Sequence, residues 1–336
     1  AFRRDYPGFD EWFNKKADDE AYVARSDGGA VLAFLYLKRE GEDENYSDIR
    51  PPFLPSRRLK IGTFKVIANG HKLGERLLKI AFDNALRSRV HEIYVTLYRR
   101  TADHDRLAHL LADWGFEVHG SKQSNGGAEE VLVRSFEPAA DRSDPRRTYP
   151  YLSAKARKFI VPIYPAYHTE LLPDSILNTE KPESLKDSKT HRNAISKVYI
   201  SRSINRDLRP GDIVVFYRTA SGGPGHHTSV VTTLGVVQSV VTGIPDGEAF
   251  ISACRRRSVF SDEELLKHWN YKPSMRPFVV NFLYVYSFPR RPNLAKLREL
   301  NVLSDAPRGF EPLSDEAFQR ILIAADVDNH LIIDQA

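Results

Sequence analysis

The chain has 336 residues, of which 41% are hydrophobic and 11% aromatic, with a formal net charge of +5 and a pI of about 9.1. That length exceeds one ordinary core and predicts two domains, while no apolar run approaches the ~20 residues of a membrane-spanning helix. The basic balance favours an anionic partner such as nucleic acid or a phosphorylated cofactor.

In chain order, residues 7–17 (PGFDEWFNKKA) have an amphipathic helical pattern. Residues 20–25 and 30–40 predict two strands joined by the turn SDGG, and residues 41–58 a polar loop. A strand is expected over 59–68 (LKIGTFKVIA) and a helix over 73–89, with Leu73, Leu77, Ile80, Ala81 and Leu86 on its apolar side. A strand over 91–98, a helix over 103–116 that ends at Gly115, and a strand over 128–137 follow. Strands and helices alternate here, which predicts an α/β sheet of mixed direction.

The polar, basic stretch 139–158 holds Pro145 and Pro150 and marks the boundary. The expected division is a domain over 1–143, a linker over 144–157 and a second domain over 158–336. Beyond it, short β-rich runs at 158–172, 197–203, 212–219, 229–241 and 278–288 alternate with turns such as RPGD and SGGPGHH. Helices are expected at 261–269, 293–300 and 314–325. This spacing predicts an α+β domain, a small β-barrel with helical additions. Cys254 is the chain's single cysteine, so no internal disulfide forms, and no Cys/His cluster has zinc-ligand spacing. A cytoplasmic protein with no metal site is expected, with Cys254 a small buried hydrophobe.

The stretch 66–86 (VIANGHKLGERLLKIAFDNAL) joins a strand end, a turn with Gly70 and Gly74, and a helix. A helix N-terminus offers unpaired N–H groups and partial positive charge to a phosphate. The turn resembles the pyrophosphate loop of GNAT N-acetyltransferases, which runs Arg/Gln-x-x-Gly-x-Gly/Ala. Here Asn69 replaces the Arg/Gln, Lys72 replaces the first glycine, and Gly74 keeps the last. Gly115 and Phe116 match the Gly-Phe that follows the family's final helix, and the resemblance covers about residues 22–136.

It implies a GNAT-like mixed sheet with helices that binds acetyl-CoA. Thr63, Phe64, Lys65, Val66 and Ile67 would line the pantetheine arm, and Asn69, Gly70, His71, Lys72, Leu73, Gly74 and Glu75 would cradle the pyrophosphate. The family often carries a tyrosine acid four residues before that Gly115 position. This chain has Leu111 there, so Tyr94 and Tyr98 are the candidate proton donors, with His104 and His109 as substitutes.

RPGD (209–212) before an apolar strand resembles the ASCH/EVE branch of the PUA-like superfamily over about residues 158–288. Members bind RNA or modified bases, and a few hydrolyse modified nucleosides. The resemblance implies a nucleic-acid or base site, RNA ahead of DNA. Lys197, Arg202, Arg218 and Arg256 would meet phosphates, Tyr199, Tyr217 and Trp269 would stack on bases, and Thr219 would line the cleft.

The expected function is an acetyl-CoA-dependent N-acetyltransferase directed to nucleic acid. The alternative is a non-catalytic nucleic-acid or modified-base binder on a degenerate GNAT scaffold. Chains of this pairing also resemble bacterial proteins with an N-terminal PIN domain. The start at Ala1, with no initiator Met and no secretory pattern, leads to the expectation that such a domain precedes it.

Overall fold

A computed structural model describes residues 8–16, 19–26, 28–67, 72–124, 126–137, 144–177, 190–220, 222 and 224–334. The chain divides into two units, Ala1–Pro138 and Ala139–Ala336.

The first unit runs α1 (Phe9–Asn14), β1 (Tyr22–Arg25), β2 (Val31–Glu40), β3 (Ile49–Arg50), β4 (Arg58–Val66), α2 (Leu73–Ser88), β5 (Glu92–Leu97), α3 (Ala102–Asp113), β6 (Glu117–Ser124) and β7 (Gly127–Ser135). Its strands form one sheet in the order β1-β2-β4-β5-β7-β6-β3. The β4–β5 pair is parallel and the others are antiparallel. A parallel pair needs a crossover, and α2 supplies it.

Alternation sends Leu59, Ile61, Ile93, Val95 and Leu97 into the core beside Leu77, Leu78, Ala81 and Phe82 of α2. The Phe82 ring sits 6.1 Å from Trp114, 6.4 Å from Phe116 and 6.0 Å from Phe136. Thr101 caps α3 by accepting from His104 N. Gly115, at φ 83°, ends α3 in the left-handed conformation that suits glycine.

Strand β6 departs from the expected order. Its residues EVHGSKQS are polar and mostly half-buried, so no apolar alternation announces them. Strand β3, inside the expected loop 41–58, pairs with β6 as Ile49↔Lys122.

The second unit runs α4 (Pro145–Thr148), β8 (Leu152–Ser153), β9 (Lys158–Ile163), α5 (Pro165–Leu171), α6 (Thr190–Asn193), β10 (Ser196–Ser201), β11 (Ile213–Arg218), α7 (Gly225–Thr228), β12 (Val230–Val241), α8 (Gly247–Cys254), α9 (Asp262–Asn270), β13 (Phe278–Ser287), α10 (Leu294–Glu299), β14 (Glu311–Leu313), α11 (Asp315–Ala324) and β15 (Ile332–Ile333). Its main sheet has the order β10-β13-β12-β11-β9-β14.

The two end strands meet through side chains. Tyr199 of β10 lies 5.5 Å from Phe310, just before β14, and Phe310 N donates to Ser203 Oγ at 3.2 Å. The curled sheet wraps one core that includes Phe159, Val161, Val214, Phe216, Val237, Phe282 and Phe310. The stretch 144–157, expected as a linker, is woven into this unit. Tyr149 is buried and donates its hydroxyl to Tyr284 O, and β8 pairs with β15. No described helix is long and apolar enough to cross a membrane.

Candidate functional site

Strands β4 and β5 pair only from Arg58 to Ile61, against Glu92 to Val95. Beyond that point β4 continues to Val66 and β5 to Leu97 with no register between them. The parting follows a bulge. Against β2, Tyr36 pairs with Thr63 and Leu37 with Ile61, which leaves Gly62 as the extra residue. A Cβ at position 62 would stand 2.7 Å from Tyr36 Cδ1, so only glycine lets the bulge lie against that ring. Past the bulge, Thr63–Val66 keep their ladder with β2 and lack one with β5. Main-chain polar groups on that edge require another partner.

Helix α2 begins nearby at Leu73, and its first-turn N–H groups have no intrahelical acceptor. Asn69, Gly70 and His71, expected in the pyrophosphate turn, lie outside the described residues. Lys72 occupies the N-cap position at φ 55° without a side-chain cap, and its Nζ pairs with Glu75 Oε1 at 2.8 Å. Gly74 has a packing reason of its own: a Cβ there would sit 2.8 Å from Leu110 Cδ2 of α3. Leu73 is buried, and so is Thr63 at the start of the open edge. Phe64, Lys65 and Val66 are half-buried, and Ile67 is exposed. Lys65 reaches Asp103 at the start of α3, 3.7 Å away.

The two candidate proton donors stand in different places. Tyr94 pairs with Lys60 before the strands part, and its hydroxyl donates to Glu40 Oε2 at 2.8 Å. Burial, then Glu40, push its pKa far up, so Tyr94 holds its proton. Tyr98 follows the end of β5, beyond the stretch paired with β4; it is buried, and its hydroxyl lies 2.7 Å from Ser124 Oγ of β6. Leu111 is fully buried and serves the core.

In the second unit the RPGD turn is explained by its own bonds. Asp212 is buried and accepts from Arg209 N at 2.7 Å and Arg157 Nη2 at 2.6 Å, while Gly211 sits at φ 86°. A cleft of about 570 Å³ beside it is lined by Arg157, Lys158, Asp207 and Asp315. Arg157 pairs there with Asp207 and Lys158 with Asp315.

The residues expected to meet nucleic acid are mostly engaged inside. Lys197 is fully buried, and its ammonium donates to His191 O at 2.7 Å and lies 5.7 Å from the Tyr284 ring. Tyr217 and Arg218 are buried at the end of β11, with the Tyr217 hydroxyl 2.5 Å from Ser229 Oγ. Tyr199 donates to Pro162 O, and Thr219 to Ile163 O at 3.4 Å.

Trp269 and Arg202 also have partners within the unit. Trp269, expected to stack on a base, packs 5.4 Å from Phe250 in a core with Leu265 and Val279. Arg202, expected to neutralise a phosphate, donates to His268 O at the C-terminal end of α9, where orphan carbonyls attract cations. Arg256 is exposed at φ 66°. Strands β10 and β11 are not neighbours in the sheet, so the eight residues form no single cluster.

Solved structures similar to the chain include an ASCH protein from Zymomonas mobilis, 14% identical, spanning 49% of this chain and 94% of that one at a TM-score of 0.34. A GNAT-family acetyltransferase from Streptococcus agalactiae is 13% identical over 40% of this chain and 75% of that one, with a TM-score of 0.27. Another, from Elizabethkingia anophelis with acetyl-CoA bound, is 12% identical over 38% of this chain and 82% of that one, with a TM-score of 0.26. No family model matches the sequence, and a search of curated proteins gives no match. The first unit is a mixed α/β sheet whose one parallel pair parts at a bulge, and the second an α+β unit built on a six-stranded sheet.

Proposed function

We propose that the chain is an acetyl-CoA-dependent N-acetyltransferase-like protein whose second unit directs it to nucleic acid, RNA ahead of DNA, in the cytoplasm. The observation that carries the first part is the open main-chain edge of Thr63–Val66 beside the start of α2. Amide groups on that edge match an extended pantetheine arm, and a helix N-terminus with Lys72 matches its phosphates.

Bound acetyl-CoA supplies an acyl thioester. The β4 edge would hold and orient that group, and its free N–H groups would supply the polarisation that attack by a neutral amine needs. Tyr98, beyond the paired stretch of β5, would donate the proton that the departing sulfur requires, and the proton lost by the attacking amine would pass to solvent and restore it. A cytoplasmic setting suits Cys254, which is buried with its thiol pushed up to about 12 by burial.

Calorimetric titration with acetyl-CoA tests the reading. Micromolar binding, weakened about tenfold by Lys72→Glu, is expected, because charge reversal removes a favourable phosphate contact. No heat at millimolar ligand overturns it. Tyr98→Phe should lower kcat about 100-fold for a general acid, while Tyr94→Phe leaves it unchanged.

The engagement of Tyr94 by Glu40 and of Lys72 by Glu75 favours a second reading, in which the first unit binds CoA without transfer. Tight binding with no thiol release across a panel of amines would select it.

A further inference from the structure

We propose that the second unit holds nucleic acid as a single strand on a strip of aromatic rings, half-buried at its middle and exposed at its ends, that runs from the start of α5 to the C-terminal end of α9. This rests on the reading of that unit as the nucleic-acid-binding one and gives it a surface other than the buried residues the sequence singles out.

The strip is continuous. The rings of Tyr164 and Tyr167 lie 6.3 Å apart, Tyr167 and Phe260 4.7 Å, and Phe260 and His268 4.4 Å. Arg202 then joins His268 to Tyr271: it donates to His268 O and sits 5.3 Å from the Tyr271 ring centroid. Tyr164 is 68% exposed and Tyr271 79% exposed, at opposite ends, and Tyr167 between them is 39% exposed.

Local structure fixes the rings. Tyr164 and Tyr167 are three apart across the start of α5, and His268 and Tyr271 are three apart across the end of α9, so each pair shares a face. Phe260 precedes the Ser261 cap of α9, the position that staples a helix start to its fourth residue, here Leu265, and both belong to one core cluster. The middle of the strip is therefore anchored, and its ends are presented to solvent.

Charge along α9 suits a polyanion at this end. The acids Asp262, Glu263 and Glu264 lie at the helix start, where Arg255 engages Asp262 and the Ser261 cap engages Glu264. Toward and just past the helix end stand the exposed Lys267 and Lys272. Burial and then Arg202 hold the His268 pKa below its ordinary value, so it contributes an uncharged ring at neutral pH. Exposed rings interleaved with cations hold unpaired bases by stacking, while a duplex hides its base faces. Stacking reads no base edge, so the strip binds with little sequence choice.

Fluorescence anisotropy of a labelled oligouridine and of an RNA duplex, with the full chain and with Tyr164→Ala, Tyr271→Ala and their double variant, tests this. Both tyrosines are exposed, and unchanged melting of the variants confirms the fold. Each substitution should weaken the single strand about tenfold, with Tyr271→Phe retaining affinity and the duplex binding weakly throughout. Single-strand binding unchanged in the double variant overturns the strip and leaves the nucleic-acid reading standing. No binding by the unaltered chain at low salt overturns both. Concentration-dependent dimerisation in sedimentation, lost in the double variant, would mean that a second copy covers the strip, and overturns it as well.

Discussion

The gap of the first unit and the curled sheet of the second use their backbones in opposite ways. In the gap, side chains are packed or paired, as with Thr63 and Lys72, and the main chain of Thr63–Val66 is left with an open edge. In the second unit β9, β11, β12 and β13 are laddered on both sides, and polar side chains such as Lys197, Arg218 and Thr232 are drawn inward. An open backbone edge offers a ligand a shape that tolerates sequence change. A completed sheet leaves recognition to helices and loops at its rim.

Substitutions that exchange these roles should separate the two regions. The largest effect is expected from Trp269→Ala, which empties a core site and should cost about 3–5 kcal/mol in the second unit, read by denaturant unfolding. Acetyl-CoA titration of the same variant should be unchanged. Gly62→Val drives a side chain into the Tyr36 ring and should destabilise the first unit by about 1–3 kcal/mol while abolishing acetyl-CoA binding. Retained binding would show that the bulge does not shape the gap.

Acid acts more gradually. His168 is fully buried, 2.9 Å from Thr232 Oγ1, and burial, then Arg218 and Arg291, push its pKa down to about 3. Its folded pKa lies below the ordinary 6.5, so the unfolded chain takes up a proton that the folded chain refuses. Stability is then whole above about pH 6.5 and falls toward pH 3, at up to ~1.4 kcal/mol per pH unit. His168→Gln should flatten that slope in melting curves taken between pH 4 and 7. The smallest effect is expected from Lys197→Met, which keeps volume and removes a buried cation. Stability should shift by less than about 1.5 kcal/mol, with an unchanged salt slope for RNA binding. A shallower slope would restore Lys197 as a phosphate contact.

Much of the fold is legible in the sequence, because amphipathic periods announce α2, α3, α9 and α11, and apolar runs announce β4, β5, β9 and β11–β13. Strand β6 escapes because SKQS has nothing to bury. Helix α8 escapes because CRRRS draws attention to charge, whereas GEAFISAC before it packs Phe250 and Cys254 inward. Site residues are harder to read for a different reason. Every residue of β11, Ile213 to Arg218, is buried, so alternation carries no sign of which side meets solvent. Tyr217 and Arg218 could not be told from cleft residues there. Tyr164 and Tyr271 carry no periodic signal, since one precedes a helix and the other follows one.

The Lys65–Asp103 contact gives the gap a mechanical character. It crosses from β4 to the start of α3 at 3.7 Å, with Asp103 more than half exposed. An exposed pair of this kind holds by less than about 1 kcal/mol and weakens in salt. The ladder from Arg58 to Ile61, by contrast, is made of main-chain bonds inside the sheet. The two walls therefore behave like a clothes-peg, stiff at the sprung end and soft at the tip. Raising ionic strength should therefore loosen the contact at the tip while the register behind it stays in place.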